Sequence, residues 1–345
     1  YLTIAIRNIL RNKVHSSINV LGLSVGLACV ILIALFLRHE WSYDAFHENK
    51  DTIYRIEQVT KNLSGEKNYV AQGPLPLGPA LEAEYPEIIR NVRYSGGYSR
   101  VVRYADKIFY ERILFTDPSL FEMFTFPMVQ GNPGSVLEDL NSVVITEEVA
   151  VKYFGEEAPL GKRLTIEIEG EREDFFVTGV ARKPPSNSTI QFDLVIRMEK
   201  RRTDDSWGSG IVQTYVQLAD HADPRSLESK LLPFAQKYYG DIIEMRRSFE
   251  GPFAERFALS QDEDAMTFRL QPLREVYLHV PWREGAMPRG KPAHSFILTG
   301  IAGLILIIAC INFMTLTIGR SVSRAREVGM RKVMGANRLR LMTQF

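Results

Sequence analysis

The hydrophobic pattern of the chain is dominated by two long stretches without a single charge, Ile18 to Leu37 (20 residues) and Phe296 to Ile318 (23 residues). As helices they would rise ~30 and ~35 Å, enough to cross the roughly 30 Å hydrocarbon core of a bilayer. Between them the pattern shortens. Thr52 to Thr60 alternates as a strand does. Pro74 to Arg90 predicts a helix with Leu77, Leu81 and Tyr85 on one face, and Asn91 to Tyr94 begins another strand. From Ser99 to Met198 the chain is strand-rich, with turns at Gly131 to Gly134, at Gly170 and at Pro184-Pro185. One helix interrupts it: Thr146 is a natural N-cap for Glu147 to Phe154, with two acids in the first turn and Gly155 at the end. Ile211 to Leu218 predicts a strand, Asp223 to Tyr239 a helix, Glu244 to Asp264 an irregular mobile loop, and Met266 to Leu270 a strand returning towards the membrane.

These elements predict a membrane protein in which two transmembrane α-helices bracket an α+β extracytoplasmic domain. The expected divisions are 1–17, a helix on the cytoplasmic face; 18–37, the first span; 38–292, the domain; 293–319, the second span; and 320–345, a basic cytoplasmic segment. Within the domain, about 51–98 and 203–280 form an α/β subdomain and about 99–202 a strand-rich subdomain inserted into it. Leu2, Ile6, Ile9 and Leu10 share one helical face, so the first residues read either as an amphipathic surface helix or as a plain extension of the first span.

Charge supplies the orientation. The net charge of +1 hides ten basic residues and one acid at the two ends, Tyr1 to Lys13 and Arg320 to Phe345. The middle keeps 32 of the 42 basic residues and 40 of the 41 acids. Positive residues beside a span stay in the cytoplasm, so both ends are expected there and the acidic bulk outside. A nucleic-acid binder would instead carry its basic patch on the folded domain. Cys29 and Cys310 both lie in the apolar spans, so the outer region has no disulfide framework and must fold on its own core. Starting at Tyr and stopping at Phe345 in mid-pattern, the sequence reads as part of a longer chain.

Catalytic chemistry is not indicated. Gly22-Leu-Ser-Val-Gly26 matches a nucleophile-elbow pattern by letter, but an apolar helix offers neither the elbow nor a base. Gly22 and Gly26 suit the close approach of a second helix instead, and Asn19 and Asn312 lie at similar depth near the cytoplasmic ends of their spans, placed for helix packing. Gly155 and Gly161-Lys162 miss the spacing of a phosphate loop, and Arg163 stands where Ser or Thr is needed. His39, Glu40, Asp44 and His47 cluster without zinc spacing and read as a solvated group, so no metal is assigned. Asn62-Leu-Ser64 and Asn187-Ser-Thr189 match the glycosylation sequon, a pattern short enough to arise by chance.

Four segments, in order, resemble the MacB/FtsX-like permeases of ABC transporters. AIRNILRNKVHSSINVLGLSVGLA is similar to the family's amino-terminal helix and first span, and EWSYDAFHENKDTIYRIEQV to its post-membrane motif. NSVVITEEVAVKYFGEEAPLGKRLTI with DFFVTGVARKPPSNSTIQFD resembles the core of its periplasmic domain, and CINFMTLTIGRSVSRAREVGMRKVMGANRLRLMTQF its second span and coupling segment. The resemblance implies a periplasmic core of the MacB type and an amino-terminal part of a four-span, multi-pass permease in the bacterial inner membrane. It implies no cofactor and no catalytic residue in this chain, with ATP and Mg on a partner ABC ATPase. It further implies a homo- or heterodimer of permeases, a periplasmic adaptor or substrate protein, contact with membrane lipid and none with nucleic acid. Carried over by position, Glu327, Gly329, Arg331, Lys332, Gly335 and Ala336 match the ATPase-coupling motif, with helix breaks expected at Gly329 and Gly335. The competing reading is a two-span sensor receptor with a periplasmic ligand-binding domain, against which Arg320 to Phe345 shows no sustained heptad pattern.

Overall fold

The computed structural model describes residues 13–200, 206–251, 254–278, 290 and 292–333, which divide into two compact units: a helix pair, and a domain spanning Ser42–Gly290. The first span lies in α1 (Lys13–Trp41), longer than the uncharged stretch at both ends. The domain follows with β1 (Ile53–Lys61), β2 (Lys67–Val70), β3 (Gln72–Gly73), α2 (Leu77–Glu84), β4 (Ile88–Tyr104), β5 (Lys107–Thr116), α3 (Leu120–Met123), β6 (Met128–Gln130) and β7 (Ser142–Thr146). It continues with α4 (Glu147–Phe154), β8 (Arg163–Ile168), β9 (Glu171–Ala181), β10 (Leu194–Arg197), β11 (Val212–Leu218), α5 (Pro224–Ser229), α6 (Leu231–Arg247), α7 (Ala254–Phe257), β12 (Met266–Pro272) and α8 (Leu273–Val276). The second span lies in α9 (Pro292–Val333).

All the described strands join one sheet, ordered β12-β1-β11-β4-β5-β10-β7-β9-β6, with β2, β3 and β8 attached at its sides. The strand-rich region continues the same sheet through β4. The first half of β4 pairs with β11 (Tyr94 opposite Gln213) and its second half with β5 (Tyr104 opposite Lys107). A register shift between Gly96 and Tyr98 joins the halves. Adding one residue to one strand flips every later side chain to the other face. Accordingly Val92 and Tyr94 face one core and Val102, of the same parity, the opposite one. A side chain at Gly96 would strike Leu114, which is why glycine sits there.

Both faces are covered. Leu114, Val144, Val195 and Tyr215 line one face with Phe121, Phe124 and Phe192. On the other, Ile113, Val143, Ile145 and Leu194 pack with Tyr153 of α4, while Ile56, Val216 and Phe268 pack with Phe234 and Tyr239 of α6. Burial on both faces explains why the central strands read as continuous apolar runs rather than clean alternation.

Several elements differ from the sequence expectation. The helix expected to reach Arg90 stops at Glu84, because Pro86 holds Tyr85 in extended backbone, and Ile88 to Arg90 join β4 instead. The helix from Asp223 is two: Asp223 caps α5, accepting from the Arg225 and Ser226 N–H groups, and α6 starts anew at Leu231 and runs on to Arg247. The region expected to be an irregular loop carries the end of α6 and α7, tied together by Arg246 Nε donating to the Phe257 carbonyl (2.9 Å) and Arg247 Nε to that of Ser260 (3.2 Å). The α4 expectation holds in detail: Thr146 Oγ1 accepts from the Val149 N–H, and Gly155 follows with φ 65°.

Candidate functional site

Within the helix pair, α1 and α9 meet along a seam of small residues. A Cβ built on Gly22 would lie 2.9 Å from Asn312 Nδ2, and one on Gly26 3.1 Å from Ala309 Cβ and 3.7 Å from Ile305 Cγ2. Residues four apart on α1 thus face residues spaced four and three on α9, which brings the backbones close where no larger residue fits. The opposite surfaces carry exposed Leu21, Val25, Leu32, Leu304 and Ile308. Asn19 lies in α1, but its side chain falls outside the described residues. A Gly26→Cys/Ala309→Cys pair, with Cys29 and Cys310 replaced by Ser, should cross-link on mild oxidation, since disulfide Cβ atoms lie ~3.8 Å apart. Cleavage in the intervening domain would leave both fragments joined. A Leu32→Cys/Ala309→Cys pair, with Leu32 on the exposed face, should come apart.

Helix α9 is continuous for 42 residues, a rise of ~63 Å. It passes through Gly329 without the expected break, as a lone glycine in a long helix costs only about 1 kcal/mol. Glu327, Gly329, Arg331 and Lys332 all fall on this helical backbone, with their side chains outside the described residues. Gly335 and Ala336 lie outside the described residues altogether.

In the domain, two polar side chains of the stretch following α1, Asp44 and His47, are withdrawn from solvent. Asp44 is fully buried with φ 53°, a left-handed conformation that Asp tolerates. Its Oδ1 accepts from the Thr189 N–H (2.9 Å) and its Oδ2 from the Thr189 hydroxyl (2.6 Å). Asn187 Nδ2 donates to the Ser42 carbonyl, and the Asn187 carbonyl accepts from the Asp44 N–H, both at 2.9 Å. His47 is fully buried as well. Its Nδ1 accepts from the Thr125 N–H (3.0 Å), and Phe124 and Phe126 meet its ring edge-on at 5.2 Å. The acceptor role of Nδ1 places the neutral ring's proton on Nε2, 3.8 Å from Asp44 Oδ1. Burial pushes the Asp44 carboxyl up to about 6 against the pull of the Thr189 hydrogen bonds, and burial, then Lys50, pushes His47 down to about 3. The expectation of a solvated cluster is therefore corrected for Asp44 and His47, which distant partners enclose, while His39 is exposed and Glu40 half-buried on α1. The clamp unites the two sequence segments WSYDAFHENK and PPSNSTIQFD. Asn187, read as a sequon, is a structural donor here. Asn62 folds its own turn, its Oδ1 accepting from the Ser64 and Glu66 N–H groups.

A second buried network crosses β1 and β12. Arg55 is fully buried, donating through Nη2 to Glu57 Oε1 (2.8 Å) and through Nε to Gln271 Oε1 (3.0 Å). Glu57 Oε2 accepts from Arg269 Nε (2.6 Å), whose guanidinium lies 4.2 Å over the Tyr69 ring. The only signal for the burial of Arg55 and Glu57 is their opposite signs two residues apart on one face.

The phosphate-loop lookalike proves to be a helix end and a turn. Gly155 and Gly161 have φ 65° and 77°, and Lys162 Nζ pairs with Glu157 (2.6 Å). Among the described residues no group of three or more His, Cys, Asp or Glu is placed to hold a metal ion.

The comparisons with known proteins fit this geometry. Residues 16–233 match the MacB-like periplasmic core domain, from within α1 to the start of α6. The chain belongs to that family. The MacB fold places this domain outside the cytoplasmic membrane, and here it lies between two helices long and apolar enough to span one, Val20–Trp41 and Pro292–Thr315. The chain is thus a MacB/FtsX-like membrane protein with an extracytoplasmic α/β domain. A curated MacB relative, the macrolide export ATP-binding/permease protein of Bdellovibrio bacteriovorus, is 21% identical over 97% of this chain. The chain spans about half of that protein's length, 48%. Among solved structures, a domain assigned to a permease protein from Porphyromonas gingivalis matches with TM-score 0.51 and 22% identity, covering 66% of this chain and 92% of that one. The periplasmic region of MacB from Actinobacillus actinomycetemcomitans matches at TM-score 0.39 and 17% identity, over 57% and 94% of the two chains.

Proposed function

We propose that this chain is part of an ABC-transporter permease of the MacB/FtsX type, a multi-pass protein of the bacterial inner membrane. ATP is hydrolysed by a partner ATPase, and the permease converts that hydrolysis into movement of its periplasmic domain. The observation that supports the reading furthest is α9: one unbroken helix holds both the second apolar stretch, Pro292–Thr315, and the basic segment as far as Val333. A continuous helix transmits displacement along its axis far better than a hinged one, because each turn is braced by its own hydrogen bonds. In this reading Glu327, Gly329, Arg331, Lys332, Gly335 and Ala336 dock on the ATPase. A second permease copy or a related permease completes the membrane unit, and a periplasmic adaptor or substrate protein meets the domain. ATP and Mg remain on the ATPase.

The test is ATPase stimulation in proteoliposomes holding the full-length permease and its ATPase. Gly335→Val and Arg331→Glu should each reduce the stimulated rate to that of the ATPase alone while leaving membrane insertion unchanged. Undiminished stimulation in both variants would remove this segment from the coupling route.

A further inference from the structure

Between α6 and the β1–β12 edge the domain holds a cleft of about 290 Å³ that nothing above explains. Its walls are aromatic. Trp207 is fixed from behind by stacking on Tyr238 (centroids 4.4 Å, planes 24° apart) and meets Tyr239 edge-on at 5.3 Å. Phe249 and Phe257 complete the lining on the other sides.

Three polar groups of the lining are under-used. Tyr239 is almost fully buried, and its hydroxyl has no hydrogen-bond partner. Gln58 Nε2 donates only to the Met266 sulfur at 3.6 Å, a weak acceptor. Arg246 is half-buried and spends Nε on a carbonyl, with no carboxylate in ion-pair range among the described residues. Burial alone pulls its pKa below the ordinary arginine value, the mark of a guanidinium that has lost water without gaining an anion. Arg246, Gln58 and Phe257 also line a small polar recess of about 60 Å³ beside the cleft. The arginine therefore stands where an apolar slot meets a polar one.

We propose that this cleft is a binding site for a small aromatic carboxylate, its ring against Trp207 and Phe249 and its carboxylate on Arg246. The volume lies at the low end for ligand pockets, which fits a single ring with a short chain rather than a larger molecule. One arginine, with no second cation among the described residues of the lining, matches one carboxylate better than a phosphate, and a guanidinium binds a carboxylate through two parallel hydrogen bonds. Aromatic walls on several sides favour a flat ring. The inference concerns the domain alone and holds whichever direction transport takes.

The probes are 3-phenylpropanoate and its neutral amide, 3-phenylpropanamide, titrated by ligand-observed NMR onto the whole chain in nanodiscs, with empty nanodiscs subtracted. The acid should bind saturably at about millimolar concentration or below, and the amide about tenfold more weakly, as expected when a charge-assisted pair is lost. Arg246→Gln should erase the preference for the acid, and Arg246→Lys should keep part of it. Absence of saturable binding by the acid up to 10 mM, or equal binding of acid and amide, overturns the proposal on the unaltered protein. An acid preference that survives Arg246→Gln in folded protein overturns the assignment to this cleft.

Discussion

Replacing Glu57 by alanine is expected to destabilise the domain by about 3–5 kcal/mol, the usual cost of removing one partner from a buried ion pair. Glu57 is enclosed between two guanidiniums, bonded to Arg55 through one oxygen and to Arg269 through the other, and both Glu57 and Arg55 are fully buried. Without the carboxylate, the fully buried Arg55 loses its counter-charge and is left beside the partly exposed Arg269. Thermal unfolding of the purified protein should shift down by roughly 6–20 °C. Replacing Arg55 and Glu57 together by methionine should cost much less, because a buried pair exchanged for apolar residues is often close to neutral. Equal losses in the single and double variants would show that the side chains matter for packing and not for charge.

The second large effect is a pH dependence at the Asp44–His47 clamp, where two groups act in opposite directions. His47 falls from 6.5 to about 3 on folding. Its contribution is complete above pH 6.5 and is lost as pH falls towards 3, a total of about 5 kcal/mol at 1.36 kcal/mol per pH unit. Asp44 rises from 3.8 to about 6. Its contribution is complete below pH 3.8 and is lost as pH rises through 6, a total of about 3 kcal/mol. Between pH 6 and 4 the two slopes nearly cancel, so this pair leaves the native protein losing only about 2 kcal/mol from pH 7 to pH 3. Asp44→Asn keeps the left-handed backbone and one acceptor, and should steepen that loss by about 3 kcal/mol. His47→Gln should reverse the sign of the clamp's contribution, making acid stabilising. Chemical denaturation at pH 7, 5 and 3.5 measures both. Parallel curves for the wild type and the two variants would mean that neither group titrates as its burial demands.

What the sequence revealed, it revealed through local rules. Two charge-free stretches of spanning length, the Thr146 cap with Gly155 eight residues past the helix start at Glu147, and the strand-rich stretch from Ser99 to Met198 each depend only on near neighbours. The reading failed where distant parts decide. Asp44 and His47 read as part of a solvated group, but Thr189 and Thr125 supply the hydrogen bonds that let both be buried. The strand begun at Asn91 to Tyr94 and the strand-rich stretch from Ser99 read as separate, and the irregularity between Gly96 and Tyr98 joins them in one strand, β4. Arg246 and Trp207 sit 39 positions apart in unremarkable surroundings, and only the fold of α6 over the β1–β12 edge brings both to one cleft. In the basic segment after the second apolar stretch the sequence offers a family resemblance and the structure a continuous helical backbone as far as Val333.

The central claim is that the domain and the basic end of α9 lie on opposite sides of one membrane. With Cys29 and Cys310 replaced by serine, a cysteine is placed at Glu171 in the domain or at Arg326 beyond the second span, and intact spheroplasts are treated with a membrane-impermeant maleimide. Glu171→Cys should be labelled at once and Arg326→Cys only after the membrane is permeabilised. Labelling of Arg326→Cys in sealed spheroplasts would contradict the account.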